Sequence, residues 1–167
     1  LCTVTRGYVA KAEAFEDLTS DEPTDYQYFR VQDMENGTIR RDLPYLKALP
    51  PSSENFCIQS GDILISKLTP LKVALAGDVG SQKILATENM YILRSRRDAI
   101  EPAYLLLYLQ SELGIQELSY WAKGRQKHRL SMQNLKKVRI PSIPRKRQKE
   151  IAEQYQKLQK ERIEAEN

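Results

Sequence analysis

A chain of 167 residues, 41% apolar and 29% charged with a net charge of +4, has the composition of a soluble domain and enough length for one substantial core. No apolar run approaches the ~20 residues that would cross a bilayer, and no charged-then-apolar leader is present, so a cytoplasmic location without a membrane partner is expected. Cys2 and Cys57 are too few for a disulfide framework and lack metal-ligand spacing, so both are expected to be reduced, with Cys57 packed in a strand. The sequence opens at Leu1 and ends inside a charged helical pattern, as expected of a piece of a longer protein.

In chain order, residues 1–11 alternate enough to predict a first strand broken at Gly7. Residues 12–29 carry six acids and no base, which reads as a solvated loop turned away from any nucleic acid. Tyr26 to Met34 regains a strand pattern, and Asn36-Gly37 predicts a hairpin turn returning through Thr38 to Arg41. After a proline-rich connector, Leu43 to Ser53, short strands are expected at Phe56–Ile58, Asp62–Ser66, Val73–Val79 and Met90–Leu93. Pro102 suits a first helical position, and the apolar residues from Ala103 to Leu113 predict a buried helix ended by Gly114. Leu105, Leu106, Leu109 and Leu113 read as core. A second helical segment, Ile115 to Lys123, should follow, with Tyr120 and Trp121 as core anchors. A last helix starting near Pro144 carries Ile151, Tyr155 and Leu158 on one narrow apolar stripe that seeks a partner helix or a second copy of the chain.

Between Leu118 and Lys149 the chain holds eleven Lys or Arg residues and no Asp or Glu, the footprint of a polyanion partner. Ser131 should N-cap the short turn Met132–Leu135, and Val138-Arg139-Ile140 alternates like a strand. The run Arg125-Gln126-Lys127-His128-Arg129 is thereby held between ordered elements. Arg125 and Gln126 are of the types that pair with guanine and adenine edges, whereas Lys127 and Arg129 suit phosphates.

The order Gly124, polar loop, Leu130-Ser131-x-x-x-Leu135-Lys136-x-Val138-x-Ile140-Pro141-x-Ile143-Pro144, then a Gln-containing helix, resembles the target recognition domain of type I restriction-modification specificity subunits. Gly61-Asp62-Ile63-Leu64-Ile65-Ser66, Asn89-Met90-Tyr91-Ile92-Leu93-Arg94 and Pro102 to Leu109 extend the resemblance upstream, as do Tyr28 to Met34 and Arg6-Gly7. The resemblance implies an α+β fold, a twisted, mostly antiparallel sheet region followed by a C-terminal helical hairpin. It divides the chain into a recognition domain, 1–144, and the start of a spacer helix, 145–167. It also implies a non-catalytic role: reading one half of a split target in double-stranded DNA for adenine methyltransferase subunits and a motor-nuclease subunit. Lys67, Thr69 and Lys72 occupy a turn that approaches DNA in that family; Arg40, Arg41, Gln82 and Lys83 occupy two further turns of matching character.

Residue chemistry gives no competing enzyme. His128 is the single histidine, no Ser or Cys lies in a nucleophile elbow, and no Glu-x-Lys follows Asp62 to complete a nuclease core. Gly77-Asp78-Val79-Gly80 is not a phosphate-cradling loop, and Pro50-Pro51-Ser52 lacks the aromatic of an adenine-methyltransferase loop. No catalytic residue, metal or cofactor is therefore expected. Two rivals remain at this stage: a recognition domain fused to a methyltransferase or restriction enzyme, and a helix-mediated interaction module whose basic patch binds without sequence preference.

Overall fold

The computed structural model describes every residue except 12–14, 97 and 124–127. Ten strands precede the four helices described below: β1 Cys2–Arg6, β2 Thr19–Ser20, β3 Tyr26–Phe29, β4 Met34–Glu35, β5 Thr38–Ile39, β6 Tyr45–Leu46, β7 Ile63–Ser66, β8 Val73–Leu75, β9 Lys83–Ala86 and β10 Met90–Ser95. Among the described residues they form a six-stranded sheet, β1-β10-β7-β8-β5-β4, and a four-stranded sheet, β2-β6-β3-β9. Pairing is antiparallel except for β5 with β8 and β3 with β9.

The larger sheet is covered on both faces. Ile63, Ile65, Val73, Tyr91 and Leu93 face a core shared with the helices, while Leu64, Ala74, Met90 and Ile92 face Phe29, Ile84 and Ala86 of the smaller sheet. This explains why Ile63-Leu64-Ile65-Ser66 shows no apolar–polar alternation, since a strand buried on both faces has no solvent side to encode.

Several local expectations hold for identifiable reasons. Asn36 (φ 51°) and Gly37 (φ 76°) turn β4 into β5 with the double positive φ that a two-residue hairpin requires. Pro102 begins α1, Pro102–Gln110, and the Ser131 hydroxyl accepts from the Asn134 amide at 3.1 Å to cap α3, Met132–Leu135.

Others are corrected. Glu54–Phe56 forms a 3-10 turn instead of a strand, leaving half-buried Cys57 in a single bridge to Leu85. The strand from Val73 ends at Leu75, the return from Asn36-Gly37 ends at Ile39, and the acidic segment carries strand β2 at Thr19–Ser20. Val138–Ile140 pairs with no strand, because the Arg139 amide donates to Glu117 Oε1 at 3.0 Å. Gly114 does not end a helix. It lies inside α2, Glu112–Trp121, where an added Cβ would meet the Tyr108 carbonyl oxygen, so it permits the two helices to close on each other. Ser111 makes the break instead, its hydroxyl accepting from the Gly114 amide. Leu113 and Tyr120 are correspondingly exposed, at 68% and 62%, rather than core, while Trp121 is half-buried and donates to Glu117 Oε1.

Helix α4, Arg145–Glu166, is tied at its first turn to the start of α1. Buried Gln148 accepts from the Glu101 amide at 3.0 Å and donates to the Ile143 carbonyl, while Arg145 bonds Glu101 Oε1 at 2.8 Å. Ile151 and Tyr155 pack on the domain's own helical core, so only Leu158 of the predicted stripe stands free. No helix among the described residues is long and apolar enough to cross a membrane.

At one end of the sheet, buried Asp62 takes a two-pronged bond from Arg94 (2.9 and 2.8 Å) and another from the Gln59 amide at 2.8 Å. The Asp62 carboxylate holds the Arg94 guanidinium above its ordinary pKa. Asp62 is thus a structural acid that staples the entry of β7 to β10. Replacing Asp62 by Ala should lower unfolding stability by about 1–2 kcal/mol, because it removes three hydrogen bonds while the half-exposed guanidinium and the Gln59 amide regain water. Urea denaturation measures this; a loss under about 0.5 kcal/mol would show that the pair contributes nothing.

Candidate nucleic-acid interface

Strand register sorts the predicted contact residues by sheet end. Strand β7 runs from Ile63 to Ser66 and β8 returns antiparallel from Val73, so Lys67, Thr69 and Lys72 cluster where β7 leaves the sheet. Strand β1 finishes at the same end, since Arg6 lies opposite Tyr91, and Tyr91 lies opposite Ile65. By contrast, β5 runs parallel to β8, with Thr38 opposite Leu75, so Arg40 and Arg41 leave at the other end. Gln82 and Lys83, at the start of β9, share that opposite end, where Gln82 and both arginines line one open cleft beneath α4.

The turn after β7 is joined to the segment that follows the basic loop. Leu68 bridges Arg129, the Thr69 amide donates to the His128 carbonyl at 3.2 Å, and the Leu130 amide donates to the Lys67 carbonyl at 2.8 Å. The Tyr91 hydroxyl adds a bond to the Leu130 carbonyl at 2.9 Å. Two stretches about sixty residues apart in sequence thereby make one surface, and it adjoins the connection from α2. Arg125 and Gln126, the predicted base readers of that connection, and Lys127, a predicted phosphate contact, lie outside the described residues.

The electrostatic state of the two ends differs. Arg40 is engaged by Asp42 through bonds of 3.0 and 2.6 Å, and Gln82 is turned inward, donating to the Thr24 carbonyl at 2.8 Å. Arg41 and Lys83 are exposed. At the other end, Arg6, Lys72 and Arg129 are exposed cations without an ion-pair partner among the described residues. Lys67 is almost wholly buried (6% exposed), its ammonium 4.9 Å above the Tyr91 ring. Burial pushes the Lys67 pKa down, and Arg129 and Arg6 push the same way against Glu88. Two non-glycine residues at this end, Asn89 (φ 68°) and His128 (φ 43°), hold left-handed backbone, a cost that recurs where structure is fixed for function.

Arg6 was not singled out as a contact by the sequence reading, because its neighbours are set by β1–β10 pairing across the whole sheet region. Lys137 lies 5.3 Å above the Trp121 ring, extending the cationic surface beside α2. Among the described residues no group of three or more His, Cys, Asp or Glu side chains could hold a metal ion.

This layout has a counterpart in sequence. A sequence model of the type I restriction modification DNA specificity domain matches residues 1–167. The chain belongs to that family. No curated protein matches it. Two solved structures resemble the specificity domain in fold. One comes from a study of complex assembly and conformational transition of the type I R-M system, with a TM-score of 0.66, 19% identity and coverage of 96% of this chain and 36% of that one. The other is the HsdS subunit from Thermoanaerobacter tengcongensis, with a TM-score of 0.61, 19% identity and coverage of 96% and 35%. The specificity domain therefore spans about a third of the length of either neighbour.

The depressed Lys67 pKa carries a sign. A lysine whose folded-state pKa lies below its unfolded value of 10.5 destabilises the fold while charged, so stability contributed by this site rises with pH through the window just below 10.5. Lys67→Met, which keeps the buried stem, should stabilise the specificity domain by about 1 kcal/mol at neutral pH and remove that rise. Thermal unfolding of both forms across pH 7–10.5 checks it, and a neutral-pH loss of stability would count against it.

Proposed function

We propose that this specificity domain recognises a DNA target through the sheet end that carries Lys67, Thr69, Lys72, His128 and Arg129, together with Arg125, Gln126 and Lys127 of the adjoining connection. The observation that carries the reading is the partition of charge. Among the described residues Arg6, Lys72 and Arg129 of this end lack carboxylate partners and surround the buried Lys67 ammonium's side of the sheet, whereas at the other end Arg40 is paired with Asp42 and Arg41 and Lys83 stand apart from any buried cation. Unpaired arginine and lysine on a surface attract a polyanion by releasing its counterions, and that attraction positions the duplex without reading it. Reading falls to side chains with paired donors and acceptors, for which Arg125 and Gln126 have the chemistry. Arg40, Arg41, Gln82 and Lys83 stand away from that duplex. The domain reads one half of a split site and delivers it to adenine methyltransferase and motor-nuclease subunits, with residues 145–167 as the start of the spacer helix.

The test compares binding of the 167-residue chain to a duplex selected from a random pool and to a scrambled duplex. Arg125→Ala and Gln126→Ala should each cost about 1–3 kcal/mol on the selected duplex and much less on the scrambled one. Lys72→Ala, Lys127→Ala and Arg129→Ala should weaken both alike and lower the salt slope by about one each. Arg40→Ala and Arg41→Ala should change neither. Equal losses at both sheet ends would move the duplex elsewhere.

Helix α4 supports a second part of the reading. Leu158 is exposed beyond the docked turns, in line with Ile151, and we place the surface for a partner helix there, with Ile151 and Tyr155 serving its inner anchorage. Sedimentation should show Leu158→Lys abolishing association of the parent protein through this helix while its folded signal is unchanged; retained association with the lysine present would exclude the surface.

A further inference from the structure

The geometry points to a seat for a single phosphate group formed by Arg6, Lys67 and Arg129, in which Lys67 is the floor and the two arginines are the walls. Cross-strand partners in a ladder share a face, so Arg6 stands on the same side of the sheet as Tyr91, and the Lys67 ammonium lies 4.9 Å above that ring. Arg129 is fixed beside Lys67 from the other direction by its bridge to Leu68 and by the bond from the Leu130 amide to the Lys67 carbonyl.

Lys67 is the second observation, independent of the exposed arginines. Lysines are almost never buried unless paired. This one is more than nine-tenths buried, and its ammonium makes no hydrogen bond among the described residues. Among the described residues no wholly enclosed polar side-chain atom lacks a partner, so the ammonium tip must open to the surface, where it lies within the positive field of Arg6 and Arg129. A lysine held in this way, close to two further cations, is destabilised until an anion arrives. Its three donors and the two guanidinium forks match the oxygens of one phosphate. The acid on the rim is Glu88, which offsets part of the positive field.

That the phosphate belongs to a DNA backbone rests on the recognition reading above; the seat itself does not. Two measurements on the 167-residue chain separate them. Inorganic phosphate exchanged for chloride at constant ionic strength should raise the Tm of the wild type. The rise should vanish in Lys67→Met and in Arg129→Gln, and grow in Glu88→Gln. No rise in the wild type, or an equal rise in both cation variants, overturns the seat. On a random-sequence duplex, Arg6→Gln, Lys67→Met and Arg129→Gln should each lower the salt slope by about one, and the triple variant also by about one, because the slope counts phosphates neutralised. A fall of about three in the triple variant means three separate phosphates and overturns the single seat while leaving DNA recognition standing. If the wild type shows the phosphate effect but no duplex binding, the seat stands and the DNA reading falls.

Discussion

Burial of the central strands on both faces is the constraint on which the other features depend. Ile63, Leu64 and Ile65 have no accessible surface, and each such side chain contributes about 1.5–3 kcal/mol on burial. Exposed ion pairs such as Arg40–Asp42 are screened by solvent and contribute little, so packing of β7 and β10 fixes the fold and charge only decorates it. Because the sheet is covered above and below, only its two ends and the outer faces of its covering layers meet solvent. The strand ends are therefore where contact residues can be displayed without disturbing the core, and the two ends are built differently. One is closed by the Asp62–Arg94 bond; the other leaves its cations open.

A division of labour follows between stability and display. Burial of the Lys67 ammonium is unfavourable, yet it sits beside the junction of β7, β10 and Leu130, where two backbone bonds and the Tyr91 hydroxyl hold the chain. The same junction imposes left-handed backbone on Asn89 and His128. Among the described residues two of the four left-handed non-glycine positions, Asn89 and His128, lie beside this unpaired charge.

Much of this was legible in the sequence where a local rule governed the outcome. Asn36-Gly37, Pro102 and Ser131 each act within a few residues of themselves, and the structure places them as their chemistry requires. Prediction failed where a partner distant in sequence decided. The Arg139 amide is taken by Glu117, so Val138–Ile140 stays outside the sheets; Gly114 gives room to the Tyr108 backbone, so it lies inside the second helix instead of ending the first. The same holds for the site. The basic cluster near residues 123–139 is visible as composition, but Arg6 joins Arg129 only through strand pairing. Arg40 was the opposite case: Asp42, two residues away, already signalled that its charge was spoken for.

The joint at the base of α4 has a mechanical meaning. A helix of 22 residues is about 33 Å long, and this one is fixed by Gln148 and Arg145 in its first turn, with lateral support ending near Tyr155. Its unsupported part begins past Tyr155 and is about 17 Å long. A tilt of about 10° where that support ends displaces the far end by about 3 Å, less than the rise of a full helical turn. The direction of the distal half is therefore set jointly by the hydrogen bonds at the Glu101 corner and by the packing of Ile151 and Tyr155.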